Sequence, residues 1–268
     1  MTTAAVTMVK DEADIIDTTV RHMLTQVHHV IVADNLSSDD TPNILMRLLA
    51  EFPDRLRIVT DPDVGYEQSR KMTALARLAW DEFRAEWVVP FDADEIWYSP
   101  FHDTIADHLA TVADQWLVMP ARVYDHVATR RDDPDEPDPV LRLGYRRNEP
   151  LPLNKVACRN RTGLVIEQGN HGARYPGGAT IHEPQLVVRH FPYRSVEQLV
   201  RKVRNGAAAY AATDLPENMG AHWRQWGAGL EQNGEQWIDD LFHEWYYSRT
   251  PNNPESGLIF DPAPVRGI

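Results

Sequence analysis

The sequence predicts an α/β fold with a mostly parallel sheet, flanking helices, a small mixed second layer and a helical C-terminal region. Three observations carry this. Short apolar runs of strand length recur through residues 4–91, and segments with helical spacing separate them. The strand rhythm becomes less regular after residue 100. The last third is Trp-rich with helical periodicity.

In order, Ala4–Val9 is a short apolar run and reads as a buried strand. Ile16, Val20, Met23, Leu24 and Val27 then recur at helical spacing. His29–Ala33 (HVIVA) is a second buried strand, followed by a turn rich in Asn, Ser and Asp. Thr41-Pro42 opens a helix, since Pro fits the first turn. Leu56–Val59 is a third strand, and Met72, Leu75, Ala76, Ala79 and Phe83 mark the next helix. Trp87–Phe91 (WVVPF) is a fourth strand that runs into Asp92-Ala93-Asp94-Glu95.

Beyond it, Trp116–Tyr124 reads as a strand, and Arg130–Pro139 as a solvated loop of acids and prolines. Asn154–Cys158, Leu164–Glu167 and Leu186–Phe191 read as short strands of a smaller, partly antiparallel layer. Ser195 caps a helix whose apolar positions are Val196, Leu199, Val200 and Val203. Glu217–Ser248 is expected to be helical, and the chain after Pro251 to lie as a surface tail. The expected organisation is a nucleotide-binding half (1–100), an acceptor- and metal-completing half of the same domain (101–194), and a C-terminal helical region with its tail (195–268).

Charge narrows the function. The chain has 27 Lys and Arg against 40 Asp and Glu, a net charge of −13. Such a surface repels nucleic acid and anionic membrane. An anionic small substrate would need a locally positive pocket or a metal. The single cysteine, Cys158, excludes an internal disulfide and a Cys-rich zinc site. The start, MTTAAVTMVKDEADII, reads as neither signal nor transit peptide, and no stretch approaches 18 apolar residues, so a cytoplasmic location without stable membrane insertion is expected.

In a parallel sheet, ligands bind at the C-terminal strand ends. That places Lys10–Glu12, Asp34–Asp39 and Asp92–Glu95 along one rim. Adjacent carboxylates at Asp92, Asp94 and Glu95 repel one another unless a cation compensates them. Oxygen ligands of this kind suit Mg²⁺ or Mn²⁺, which share their shell with substrate phosphates. The plain structural alternative is that Asp94 caps a following helix, which its place at a strand end disfavours. Asp34, ending the second strand, can reach a ribose hydroxyl or a base edge; read locally, it is turn chemistry.

Four segments, MVKDEADII, VIVADNLSSDDT, GYEQSRKMTAL and WVVPFDADEIW, stand in order across residues 4–100. Together they resemble the nucleotide-binding half of family 2 glycosyltransferases, which have the GT-A fold. The segments GNHGAR and RHFPYRS resemble a branch of the same enzymes. The resemblance implies a sugar-nucleotide donor, with a UDP-sugar favoured. It also implies a divalent ion, Mn²⁺ or Mg²⁺, bridging the donor's diphosphate, and transfer with inversion. It makes Asp94 the principal metal ligand and sets Asp92 on the ribose or on the metal through water. Asp34 would contact base or ribose, and Val9, Lys10 and Glu12 would line the base pocket. Arg70 and Lys71 would approach the diphosphate. His190, ending the apolar run LVVRHF, matches a position from which many GT-A enzymes supply a third ligand. The chain has WRQW at 223–226 and no Q-x-x-R-W motif, so processive synthesis is not expected.

The rest is read from the residues. Asn170 and His171 lie in a glycine-flanked loop that a donor sugar or acceptor could approach closely. Arg189, Arg194, Arg201, Lys202 and Arg204 form the dense basic run of an acidic chain, and Arg194 and Arg201 suit diphosphate capture. An inverting transfer needs a base for the acceptor hydroxyl. Glu183 and Asp125 are the candidates, with Glu167 behind them. The expected partners are a nucleotide-sugar donor and a small-molecule or glycan acceptor, with a homo-oligomer left open. Two rivals remain at this stage. One is a sugar-phosphate nucleotidyltransferase, disfavoured because no glycine-rich loop follows the first strand. The other is a nucleotide-sugar binding protein without turnover.

Overall fold

The computed structural model describes residues 1–65, 67–216, 218–244 and 257–263. Tyr66, part of the expected helix over Glu217–Ser248, and most of the expected tail lie outside them. Thr3–Val9 (β1), His29–Asp34 (β2), Leu56–Thr60 (β3) and Trp87–Pro90 (β4) are all parallel neighbours, in the spatial order β3-β2-β1-β4. Ala4, Ala5 and Val6 of β1 and Val30, Ile31 and Val32 of β2 are fully buried. Continuous apolar runs of this kind are what a strand covered on both faces requires.

Ile16–Gln26 (α1) and Thr41–Glu51 (α2) cover one face through Val20, Met23, Leu45 and Leu48. Gln68–Phe83 (α3) covers the other through Met72, Leu75, Ala76 and Ala79. Ile105–Thr111 (α4) follows, capped by Thr104, whose hydroxyl accepts from the Asp107 amide.

The later strands continue this sheet. Glu95–Tyr98 (β5), Val118–Asp125 (β6), Lys155–Arg159 (β8) and Leu186–His190 (β11) extend it to eight strands, in the order β3-β2-β1-β4-β8-β6-β11-β5. β8 runs antiparallel to β4 and β6, and β5 antiparallel to β11. The strands expected at Asn154–Cys158 and Leu186–Phe191 thus belong to the main sheet, and the small sheets are two antiparallel pairs elsewhere. Val165–Ile166 (β9) pairs with Ala173–Arg174 (β10), and Tyr145–Arg147 (β7) pairs with Leu258–Phe260 (β12). The short helix Pro139–Arg142 (α5) precedes β7, and a 3₁₀ turn over Gln168–Asn170 joins β9 to β10.

β5 corrects the reading of Asp94 as a helix cap, because the acids lead into a strand. β4 and β5 are four sheet positions apart, about 19 Å in a flat sheet. The five residue steps from Pro90 to Glu95 span at most about 18 Å. The far half of the sheet therefore curls back over the C-terminal end of β4.

Val196–Ala211 (α6), Ala221–Asn233 (α7) and Glu235–Phe242 (α8) share a third core built on Leu199, Val203, Leu230, Ile238 and Phe242. As the sequence predicts, the Ser195 hydroxyl caps α6, accepting from the Gln198 amide at 3.1 Å. The α6–α7 contact depends on small residues: a Cβ built on Gly227 would lie 2.5 Å from the Ala207 Cβ. Gly227→Ala is therefore expected to cost about 1–3 kcal/mol. An unchanged melting temperature would show that the two helices part there freely. No helix among the described residues is long and apolar enough to cross a membrane.

Candidate active site

Register brings the chemistry together. In the sheet His190 lies opposite Asp125 on one side and Glu95 on the other, so the ends of β6 and β11 meet the start of β5. Asp92 and Asp94 occupy the turn between β4 and β5. The Phe191 amide donates to the Asp94 carbonyl at 2.8 Å and closes this corner.

A cavity of about 380 Å³ opens here. It is lined by Met8–Glu12, Asn35, Gln68, Asp92–Asp94 and His190 together with Lys202, Asn205 and Tyr210 of α6 and His222 and Trp223 of α7. A larger cavity of about 790 Å³ lies between α3 and residues 159–164, around Arg77, Trp80 and Glu86. It contains none of the strand-end acids, so the chemistry belongs to the smaller one.

Asp94 is buried, with 4% of its surface exposed. Its Oδ2 accepts from Lys202 Nζ at 2.5 Å, and Arg194 Nη1 is 3.8 Å away. Burial alone would raise its pKa, but Lys202, His190 and Arg194 outweigh it and hold the carboxyl well below the usual range. His190 Nδ1 is 2.7 Å from Asp125 Oδ1, and its Nε2 is 3.6 Å from Asp94 Oδ1. Burial would lower the His190 pKa, but the Asp94 and Asp125 carboxylates raise it above the ordinary value.

Asp92 is fully engaged by the protein. Its Oδ1 accepts from Gln68 and Asn170, each at 3.0 Å, and its Oδ2 accepts from Lys155. Lys155 also pairs with Glu95 at 2.9 Å. Asp92 keeps 32% of its side chain exposed and accepts from three buried partners, whereas Asp94 is the more deeply buried of the two and is the one with a ring nitrogen beside it. Arg194 is equally fixed: its side chain is 0% exposed and holds Glu12 and Asp14. Burial raises the Glu12 pKa, and Arg194 opposes that rise.

The other expected residues are placed unevenly. Val9, Lys10 and Glu12 line the cavity, with the Lys10 ammonium donating to the Asn35 and Leu36 carbonyls at 3.0 Å. Arg201 is not in the lining; it donates to the carbonyl of Asp11, which is, at 3.2 Å, and lies 3.6 Å from Asp14. Asn170 reaches the site through Asp92, whereas His171 is exposed, with Nδ1 2.9 Å from the Asn154 carbonyl. Asp34 ends β2 outside the lining, with a buried Oδ1 that has no hydrogen-bond partner.

Three further expectations are also not brought to the cavity. Arg70 is turned to the surface by Glu67 and Asp63. Lys71 is buried against Asp61 at 2.7 Å. Glu183 is exposed and precedes β11, at the strand end opposite His190, because spacing along the chain does not say which strand end a loop occupies. Asp125 does reach the site, but as the carboxylate partner of His190.

Sequence reasoning passed over Lys155, Gln68 and Asn205, and gave Asp11 no role beyond its place on the rim. Asp11 accepts from the Ser38 amide at 2.6 Å and from Asn205 at 2.8 Å, tying β1, the 35–39 loop and α6 together. One signal existed for Lys155: a lysine heading an apolar strand, KVACR, needs a buried carboxylate.

Among the described residues, no three His, Cys, Asp or Glu side chains are grouped to hold a metal ion. Asp94 and His190 supply two converging donors, a set that suits a cation completing its shell with phosphate oxygens.

Several solved structures are similar. A mannosyltransferase from Pyrobaculum calidifontis, in complex with GDP-Man and Mn²⁺, is 18% identical; the alignment covers 90% of this chain and 73% of that one, with a TM-score of 0.47. TarS 1–349 from S. aureus, in complex with UDP, is 10% identical, with 83% and 69% covered and a TM-score of 0.41. Glucosyl-3-phosphoglycerate synthase from Mycobacterium tuberculosis, with Mn²⁺, UDP and phosphoglyceric acid, is 20% identical, with 48% and 44% covered and a TM-score of 0.30. No curated protein matches the chain. The model of the family described as glycosyl transferase family 2 matches residues 5–163. That match takes in β1, the acidic turn after β4 and the Lys155 strand, more than half of the chain, and the protein belongs to glycosyl transferase family 2.

Proposed function

We propose that this glycosyltransferase moves a sugar from a nucleoside-diphosphate donor, a UDP-sugar by preference, to a hydroxyl of a small-molecule or glycan acceptor, with inversion and with a divalent ion, Mn²⁺ or Mg²⁺. The observation that carries this reading is the Asp94 Oδ1–His190 Nε2 pair, 3.6 Å apart on the cavity wall. A divalent ion held by these two residues would neutralise the charge that develops on the departing diphosphate.

The chain's own residues do the rest. Asp125 fixes the His190 ring so that Nε2 faces Asp94, the carboxylate–histidine arrangement that orients metal-binding imidazoles. Lys155, Gln68 and Asn170 hold Asp92 and so hold the turn that carries Asp94. Val9, Lys10 and Glu12 border the space for the base, and Arg201, bonded to the Asp11 carbonyl behind that lining, adds positive charge near it.

The test is nucleotide binding by calorimetry. UDP and GDP should bind at least tenfold more tightly in Mn²⁺ than in EDTA, and equal affinities would end the metal reading. His190→Ala should remove most of that metal dependence. It should also cost roughly 1–3 kcal/mol of stability, because Asp125 loses its partner. The 2.7 Å Asp125–His190 contact favours a second reading, in which His190 accepts the acceptor's proton and Asp125 stabilises the imidazolium. On that reading His190→Ala keeps metal-dependent nucleotide affinity and loses turnover.

A further inference from the structure

Two cations meet the Asp94 carboxylate, and they differ in freedom. Arg194 is completely buried and bound by Glu12, Asp14 and the Phe191 carbonyl, so its charge is fixed in place. Lys202 enters from α6 on the cavity side, with 22% of its side chain exposed. Its Nζ holds Asp94 Oδ2 at 2.5 Å and the Pro192 carbonyl at 3.1 Å, and lies 5.9 Å from the Tyr193 ring centre. A lysine ammonium is a point charge on a flexible four-carbon stem, suited to changing partners. α6 also lies beyond the stretch matched by the family model.

An ammonium and a divalent ion cannot share Asp94 without strong repulsion. An ion arriving alone must push Lys202 off its carboxylate, and the nearby Glu12 carboxylate is already taken by Arg194. A donor diphosphate removes that obstacle, because its oxygens complete the ion's shell beside Asp94 and give the ammonium a new partner. We propose that Lys202 is an exchangeable counter-ion, which holds Asp94 until donor and metal arrive and then passes to the donor's diphosphate, so that the two ligands bind as a pair. This rests on the metal-dependent reading above.

The experiment is Mn²⁺ titration, read by electron paramagnetic resonance of the free ion, with and without UDP or GDP. The proteins are wild type, Lys202→Met, Lys202→Gln and Asp94→Asn, with folding checked by circular dichroism. Lys202→Met and Lys202→Gln should bind Mn²⁺ alone at least tenfold more tightly than wild type. At saturating Mn²⁺ they should bind the diphosphate at least tenfold more weakly. If both variants bind Mn²⁺ alone no tighter than wild type, while wild type takes up Mn²⁺ with diphosphate through Asp94, the exchange is wrong and the metal reading stands. If wild type binds no Mn²⁺ even with diphosphate, or Asp94→Asn binds it as wild type does, the metal reading fails and the exchange fails with it.

Discussion

Asp94→Asn is expected to lower turnover by about 100- to 1,000-fold, the scale seen when one preorganised charge-stabilising group is removed from an active site. It should also destabilise the fold. Read from sequence, Asp94 is a rim residue whose amide analogue leaves the fold intact. The structure buries it against Lys202 and Arg194, and an asparagine leaves those two cations under-compensated. Removing one partner of a buried pair costs about 3 kcal/mol at the low end of such cases. For a chain of this length that is a fall of roughly 6–12 °C in melting temperature. Steady-state rates and thermal unfolding separate the two effects. Wild-type turnover would remove Asp94 from the reaction, and an unchanged melting temperature would show that its ion pairs do not hold the corner.

Acid is expected to destabilise the protein before its carboxylates titrate. His126 is 1% exposed, its Nδ1 is 2.7 Å from the Leu143 carbonyl, and its ring stacks on Phe191 at 4.5 Å. Burial pushes its pKa down to about 4. The folded ring stays neutral while the unfolded chain takes up a proton below about 6.5. The stability it contributes is therefore whole above pH 6.5 and is lost as pH falls from 6.5 to about 4, amounting to about 3 kcal/mol.

His22, buried beneath the Trp97 carbonyl at 2.6 Å, is shifted the same way by burial. His190 acts in the opposite sense: its raised pKa gives stability that is present below about 6.5 and lost as pH rises through the folded value. Stability should therefore peak near neutral pH. Urea unfolding at pH 7 and pH 4.5 checks this, and His126→Asn should be less stable at pH 7 but flatter with pH. An unaltered slope in that variant would assign the acid sensitivity to other groups.

Much of the nucleotide-binding half was legible because its signals are local. VIVA and WVVP are apolar on both sides of the pleat, which only a covered strand tolerates, and the acids after WVVPF had to lie at a strand end. Ser195 could be read as a cap because a cap is a contact three residues long. EIWY was harder. Four residues give no measurable period, and they form a strand only because β11 supplies their hydrogen bonds.

By itself, then, the sequence determined the alternation of strands and helices, the rim on which the acids stand, and the family those motifs match. The tertiary structure alone decided which charges meet there. Lys202 reaches Asp94 across 108 residues and Lys155 reaches Asp92 across 63, while Glu183 is left at the wrong end of its strand. The reason is physical. A helix or strand follows from a repeat in neighbouring residues, but an ion pair between distant segments follows from sheet register and helix packing, which no local pattern records.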